Sequence, residues 1–333
     1  MKKKIIYKKR NKNKIYLIRI KLQSIILKIV TKIFFLSFFI IMNFYFGLVY
    51  YNRGIIIDIN RINHIHKMLT KIIDNVTLVS GYFNIPSKHS ILEYEKWISY
   101  FLQINHPMIF FVDNKYYKKI ISKRPIEYKN KTIWIKTDIS DFYSYKKFYN
   151  EFNKTYEIDI EKQIHSVPLY LVWAEKINFL KIASDKNFFK SKCFYWIDAG
   201  CFRSNESTKN FINDWPSPDK CFEDGRVLIN EVFKHSDNFY KKYINFDIES
   251  HKFMQKSLNV DGSCFGGQKE YIYKFYNIYY DLLIKFIKHG IFIGKDQNLF
   301  AYIAYSNQDI IKKVTLGDFF RLREYILKNG SKY

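Results

Sequence analysis

Glycine, proline and cysteine are all scarce in this sequence, with 12, 6 and 4 of them among 333 residues. The four cysteine spacings match no zinc site. Hydrophobic residues make up 48% and aromatic residues 19% of the chain, which excludes disorder over most of its length. Lys, Ile, Asn, Tyr and Phe are used heavily instead, as expected when an AT-rich genome shapes codon choice. The chain therefore has the material for one large folded domain or two small ones.

Acidic residues are also few, 31 against 55 basic residues, so the formal net charge is +24. Twelve of the basic residues and no acid lie within residues 1–32. This basic tail is typical of a topology signal that contacts anionic lipid, and an arm for nucleic acid is the alternative. No zinc finger, RNP motif or helix-turn-helix pattern accompanies the tail, so we do not expect nucleic acid as a partner.

Residues 33–51 contain no charged side chain and are bounded by Lys32 and Arg53. A helix of this length spans a hydrocarbon core of roughly 30 Å. A buried core helix and a cleaved signal peptide are the alternatives, but the run is long for a signal and has no small-residue cleavage site. The basic tail predicts a cytosolic N-terminus. We therefore expect a single-pass type II membrane protein, with a stem at 52–74 and a lumenal or extracytoplasmic domain at 75–333.

The cysteines all follow this predicted anchor, on the side of a membrane where disulfides are permitted. Cys201 and Cys221 would close a short loop. Cys193 lies inside a predicted strand, where we expect a buried thiol.

The domain alternates between strand-like and helix-like segments. Continuous apolar runs predict strands at 76–83, 108–112, 132–135 and 193–197. Ser90 and Glu93 form a capping-box pattern that predicts a helix, and Pro168 after Ser166 predicts another. Two more helices are expected between Gly267 and Gly290 and over 298–305. This alternation predicts an α/β domain with a largely parallel central sheet.

Ligands of open α/β sheets bind beyond the carboxyl ends of the strands. Gly81, Asp113 and Asp198 follow or end predicted strands, and we expect them to rim one crevice. Asp198, followed by Ala199 and Gly200, suits a metal-bound diphosphate, although an acid that only caps the next turn fits equally well.

Other residues have both a functional and a structural interpretation. Asp296 is an N-cap or a catalytic carboxylate, and Lys176 is a paired lysine or a phosphate ligand. His165 is typical of a structural histidine. The segment 262–267, rich in glycine, could form a loop whose amides meet a sugar or phosphate. No phosphate-loop, H-E-x-x-H or G-x-S-x-G motif is present.

Several runs together resemble one protein family. They include the segments 77–83, 85–90 and 108–113, then 164–166, Lys176, 196–200 with Phe202 and Arg203, 265–267, and 296–297. These runs, in this order, resemble the HtrL/YibB (WlaTC-type) family of glycosyltransferase-like proteins. The resemblance covers roughly residues 75–305.

The resemblance implies a glycosyltransferase-A-like fold, a nucleotide-sugar donor and a glycan or protein acceptor. Asp198-Ala199-Gly200 stands where such enzymes carry a D-x-D metal site, so Asp198 is the expected ligand of Mn²⁺ or Mg²⁺ and a catalytic residue. Asp296 is the expected second catalytic carboxylate. The implied substrate-binding residues are Gly81, Lys88, Lys176, Trp196, Arg203, Gly266, Gly267 and Gln297.

The single acid of the D-x-D position leaves an alternative open. The chain could be a membrane-anchored surface protein that binds glycans, like a lectin, without catalysis.

Overall fold

The computed structural model describes residues 76–86, 89–213, 215–257 and 259–326. The predicted tail (1–32), anchor (33–51) and stem (52–74) lie outside these residues, as does Lys88. Within the described ranges, no helix is long and apolar enough to cross a membrane. The domain boundaries stay a prediction.

A seven-stranded sheet lies at the centre of the described part of the chain. Neighbouring strands are parallel except at the strand Val260–Gln268, which is antiparallel to both of its neighbours, Cys193–Ile197 and Val227–Glu231. The predicted α/β fold with a largely parallel sheet is thus confirmed. The spatial order is β3-β2-β1-β4-β6-β5-β7, with the strands β1 (Val76–Tyr82), β2 (Met108–Val112), β3 (Thr132–Lys136), β4 (Cys193–Ile197), β5 (Val227–Glu231), β6 (Val260–Gln268) and β7 (Ile311–Thr315).

The side chains of each strand divide between two hydrophobic cores, because successive residues of a strand point to opposite faces. In β4, Phe194 and Trp196 enter one core, and Cys193, Tyr195 and Ile197 enter the other. All five residues are buried. A strand covered on both faces needs an uninterrupted apolar sequence, and this explains why β4 was predictable.

Helices cover both faces of the sheet. Their bounds are α1 (Ile91–Phe101), α2 (Tyr117–Ile121), α3 (Tyr143–Tyr156), α4 (Val167–Lys186), α5 (Asn205–Lys209), α6 (Asp219–Asp224), α7 (Asp237–Ile244), α8 (Ile248–Lys256), α9 (Lys269–Lys288), α10 (Asp296–Ser306) and α11 (Arg321–Tyr325). The first core receives residues of α3, α4 and α7 to α10, and the second receives residues of α1, α2, α6 and α11.

Helix α1 begins with the predicted capping box. The Ser90 hydroxyl accepts a hydrogen bond from the Glu93 amide, and the Glu93 carboxylate accepts one from the Ser90 amide at 2.9 Å. These contacts satisfy amides that have no partner inside the helix. They therefore fix the start of α1 at Ile91, directly after the cap residue Ser90.

The interpretation of residues 262–267 as a loop is wrong, because they belong to β6. A Cβ atom at Gly266 would lie 2.1 Å from the Phe194 carbonyl oxygen, and one at Gly267 would lie 2.5 Å from the Arg226 carbonyl oxygen. Both glycines therefore allow β6 to pack closely between its neighbours. The structure places them inside the sheet, close to the backbone of the neighbouring chain segments; their role in substrate binding stays a prediction.

The disulfide joins Cys193 of β4 to Cys221 of α6, with 6.4 Å between their Cα atoms. The short loop that Cys201 and Cys221 would close is therefore not formed, and the expectation of a simple buried thiol at Cys193 is wrong. Cys201 and Cys264 are buried free thiols. All four cysteines enter the same core, and Cys221 of α6 lies within bridging distance of Cys193 there.

Candidate active site

A cleft opens at the carboxyl ends of β1 and β4, where the order of the strands reverses. The chain moves outward from β1 through β2 and β3, then returns to form β4 on the other side of β1. Such a switch point leaves a crevice in which α/β proteins bind ligands. The cleft has a volume of about 170 Å³, and its lining includes Gly81, Trp196 and Asp198. The structure thus brings together residues that the sequence separates by more than a hundred positions.

Aromatic rings form much of the cleft wall. Tyr94 and Trp97 of α1 lie on one side with their ring centres 5.3 Å apart. Trp173 of α4 and Phe320, which precedes α11, also line the cleft. Flat apolar rings of this kind suit a nucleobase or the apolar face of a sugar.

Two basic side chains lie at the α1 side of the cleft. The Arg203 guanidinium carbon is 4.6 Å from the centre of the Trp97 ring and 5.2 Å from that of Phe320. The His89 ring packs edge-on against Trp97 at 4.8 Å. A guanidinium held between two rings loses little freedom on binding, and its planar fork matches a phosphate. This end of the cleft can therefore hold an anion.

The innermost group of the cleft is the ammonium of Lys176, which α4 directs towards the sheet. Its Nζ lies 3.1 Å from Asp198 Oδ1, 3.1 Å from Asp296 Oδ2 and 3.2 Å from the Gly262 carbonyl oxygen. The side chains of Lys176 and Asp296 are 4% and 5% exposed, whereas that of Asp198 is 34% exposed. Asp198 is thus the carboxylate of this group that meets the cleft.

The burial of these charges affects their protonation in opposite ways. Burial alone would lower the pKa of Lys176, but the adjacent Asp198 and Asp296 outweigh it and raise this pKa above its ordinary value. Lys176 is therefore a permanent cation at neutral pH. Burial raises the pKa of Asp296, with a further contribution from Asp198, and Lys176 opposes this rise.

Asp198 is held in place by its neighbours as well as by Lys176. The Trp196 indole donates a hydrogen bond to Asp198 Oδ1 at 2.7 Å, and the Asp198 amide donates one to the Ser263 carbonyl oxygen at 2.7 Å. Trp196 and Asp198 belong to one strand end, and Ser263 to the adjacent β6. These contacts fix the orientation of the carboxylate before any ligand binds.

The residues present do not fit the divalent metal that a D-x-D site would hold. Mn²⁺ and Mg²⁺ need oxygen ligands at short range, usually including one or two carboxylates that are open to the ion. Here Lys176 already meets both oxygens of Asp198, at 3.1 and 3.3 Å. Among the described residues, no group of three or more His, Cys, Asp or Glu side chains could hold a metal.

A family model described as "Bacterial protein of unknown function (HtrL_YibB)" matches residues 74–325. The chain belongs to the HtrL/YibB family. The resemblance found in the sequence is thus confirmed, and the matched range includes every residue of the cleft.

Two solved structures resemble this HtrL/YibB chain at low identity. One is Rv0371c from Mycobacterium tuberculosis, with 5% identity over 73% of this chain and 88% of that chain, and a TM-score of 0.33. The other is core-mannan synthase A from Aspergillus fumigatus in its Mn/GDP form, with 10% identity over 74% and 73% of the two chains, and a TM-score of 0.39. No curated protein sequence matches the chain.

Several predicted residues of this HtrL/YibB chain lie outside the cleft. Asp113 holds the turn after β2, since its carboxylate accepts hydrogen bonds from the amides of Asn84 and Tyr116 at 3.1 and 2.8 Å. The Gln297 amide donates to Asp296 Oδ1 at 2.8 Å within the first turn of α10. Asp296 itself is buried behind Lys176. Its direct contact is with that lysine, and its catalytic role stays a prediction.

The structural interpretation of His165 agrees with its contacts. His165 Nδ1 lies 2.8 Å from Asp159 Oδ2, and Tyr170 donates a hydrogen bond to the same oxygen. The His165 ring also packs edge-on against Trp173 at 5.3 Å. This network supports the cleft wall from behind.

Sequence reasoning missed Phe320 as a cleft residue. Its backbone has a left-handed conformation, with φ of 62°, and its amide donates a hydrogen bond to Asp261 Oδ2 at 2.7 Å. Asp261 is buried in β6, where its other oxygen accepts a hydrogen bond from the Ser263 amide. In the sequence, this contact is indicated only by Asp261, an acid within a segment that is otherwise apolar or rich in glycine. That pattern does not identify Phe320 as the residue it binds.

Proposed function

We propose that this protein is a type II membrane glycosyltransferase with a glycosyltransferase-A-like fold, which transfers a sugar from a nucleotide-sugar donor to a glycan or protein acceptor. The single observation that carries the proposal is the cleft at the switch point of the sheet. It combines an oriented carboxylate, Asp198, with the guanidinium of Arg203 and a wall of aromatic rings. A nucleotide-sugar carries a hydroxyl-rich sugar, a diphosphate and a flat base. The carboxylate suits the sugar hydroxyl groups, the guanidinium suits the diphosphate, and the aromatic rings suit the base.

Each group has a distinct part in the transfer. The guanidinium of Arg203 binds the diphosphate and stabilises the charge that develops as the bond from the sugar to the phosphate oxygen breaks. The carboxylate of Asp198 accepts hydrogen bonds from hydroxyl groups of the donor and orients it. The acceptor oxygen forms the new bond to the anomeric carbon and gives up its proton to a base, for which Asp296 is the candidate.

The proposed membrane topology rests on two features of the chain. The uncharged run 33–51 follows a tail with twelve basic residues, which favours a cytosolic N-terminus. The disulfide between Cys193 and Cys221 supports an oxidising compartment for the domain. We therefore propose that the domain faces a lumenal or extracytoplasmic space.

One observation favours the second candidate function, a non-catalytic glycan-binding protein. The side chain of Asp296 is only 5% exposed and lies behind Lys176. A base that must reach an acceptor hydroxyl needs access to it. Binding of glycans requires no such base.

The deciding experiment uses the detergent-solubilised full chain and a panel of nucleotide-sugars. Binding and release of the nucleotide are measured for the wild type and for Asp198→Asn. The matched control is Asp185→Asn, because Asp185 lies on α4 but pairs with Lys181 and Lys269 at the surface.

Turnover that is lost in Asp198→Asn and retained in Asp185→Asn would support the glycosyltransferase. Wild-type turnover in Asp198→Asn would remove the central residue of the proposal. A folded protein that binds glycans but no nucleotide-sugar would instead support the second candidate.

A further inference from the structure

Four oxygen atoms surround the Lys176 ammonium. Asp198 provides two of them, at 3.1 and 3.3 Å from Nζ, and Asp296 Oδ2 and the Gly262 carbonyl oxygen lie at 3.1 and 3.2 Å. These atoms come from the end of β4, the start of α10 and the middle of β6. An environment made only of carboxylate and carbonyl oxygens is what a hard divalent cation selects. In this protein a lysine fills it.

The local backbone is shaped around this arrangement. A Cβ atom at Gly262 would lie 2.8 Å from Asp296 Oδ2, so a larger residue there would displace the carboxylate. The same oxygen is buried and makes no hydrogen bond of good geometry with the described residues. Its contact is the Lys176 ammonium. The carboxylate of Asp296 is thus directed at a cation position.

We propose that Lys176 occupies the position of a divalent cation in the cleft, so that the protein binds its ligand without a metal. Asp198, neutralised by Lys176, then accepts hydrogen bonds from hydroxyl groups in the cleft, and Arg203 binds the charged diphosphate at the other end. The identity of the ligand rests on the proposed function, whereas the cation position is defined by three side chains and a carbonyl group of this chain alone.

The proposal predicts that removal of the lysine creates a metal site. Lys176→Met keeps the length of the apolar stem but leaves Asp198 and Asp296 facing each other across the vacated space. Two carboxylates and a carbonyl oxygen are sufficient ligands for Mn²⁺ when water completes the shell. We expect the variant to bind one Mn²⁺ at least about tenfold more tightly than the wild type does.

The test measures Mn²⁺ alone, by electron paramagnetic resonance and calorimetry, with the full chain in detergent. The wild type should show no stoichiometric binding, Lys176→Met should bind one ion, and Lys176→Met/Asp296→Asn should lose that ion. Lys181→Met is the matched control, because this lysine lies on α4 and pairs with Asp185. It should behave as the wild type does.

Stoichiometric Mn²⁺ binding by the wild type that Asp198→Asn abolishes would overturn the proposal. So would a folded Lys176→Met that gains no affinity. If Lys176→Met does not fold, the wild type decides by itself: absence of Mn²⁺ binding supports the proposal, and binding that depends on Asp198 refutes it. None of these results depends on turnover, so they separate this proposal from the glycosyltransferase.

Discussion

Removal of the Cys193–Cys221 disulfide should destabilise the domain by an amount that follows from the chain it encloses. The two cysteines are 28 residues apart. The loop-entropy relation gives about 3 kcal/mol for 15 residues and about 4.7 kcal/mol for 100, so this bridge should contribute about 3.5 kcal/mol. The reason is that the bridge restricts the unfolded chain more than the folded one. Urea unfolding followed by tryptophan fluorescence measures the loss in Cys193→Ala/Cys221→Ala.

The matched control is Cys201→Ala/Cys264→Ala, which removes two thiols that are equally buried but free. Both double variants lose the packing of two sulfur atoms, and the first also loses the covalent bond. The difference between their free energies of unfolding therefore isolates the bridge. Equal losses in the two variants would refute the reasoning.

Three further predictions concern the cleft and the sheet. Arg203→Ala should weaken nucleoside diphosphate binding about tenfold or more, since a charged hydrogen bond contributes roughly 1.5–3 kcal/mol. Arg203→Lys should not restore the affinity, because lysine has no planar guanidinium. Unchanged affinity of Arg203→Ala by calorimetry would exclude the contact. Gly266→Ala should yield no folded protein by circular dichroism, because its Cβ would lie 2.1 Å from a carbonyl oxygen of β4. Gly290→Ala is the comparison: a Cβ there would have no atom within 4 Å, and φ is 65°, so the free energy of unfolding should fall by only about 1–2 kcal/mol. Lys176→Met should lose about 3–5 kcal/mol, since it leaves buried carboxylates unpaired. The loss should be larger at pH 8 than at pH 5, because Lys176 opposes the rise in the pKa of Asp296. Its removal raises this pKa further above the unfolded value, so the folded variant gains stability relative to the wild type as Asp296 binds a proton; an equal difference between the two proteins at both pH values, by urea unfolding, would contradict this.

The first half of the sheet could be predicted from the sequence, but most of the second half could not. β1, β2 and β4 are buried on both faces; β2 and β4 appear as continuous apolar runs, and β1 as a run rich in β-branched and aromatic residues. β6 contains three glycines and an aspartate, because it passes closely between two strands and holds Phe320. β7 lies at the sheet edge and carries two lysines. Neither pattern is typical of a strand.

The candidate site was predicted as separate residues and not as an arrangement. Asp198 follows an apolar strand and Lys176 interrupts an apolar helix face, so each was noticeable alone. The contacts of Lys176 with Asp198 and Asp296 depend on how α4 and α10 pack against the sheet, over separations of 22 and 120 residues. Local patterns contain no information on such a contact. The sequence offered a metal-bound diphosphate or a turn cap for Asp198, and its lysine partner became visible only in the structure.

Helix α4 carries two consecutive buried charges, and this limits how the cleft can change shape. Glu175 accepts hydrogen bonds from the amides of Tyr143 and Ser144 at the start of α3, while Lys176 meets the carboxylates beneath the cleft. Adjacent residues of a helix point roughly 100° apart. Rotation of α4 about its axis would therefore break both sets of contacts at once. The α4 wall of the cleft is therefore rigid. A ligand of different width must be accommodated by movement of the opposite wall, which α1 provides.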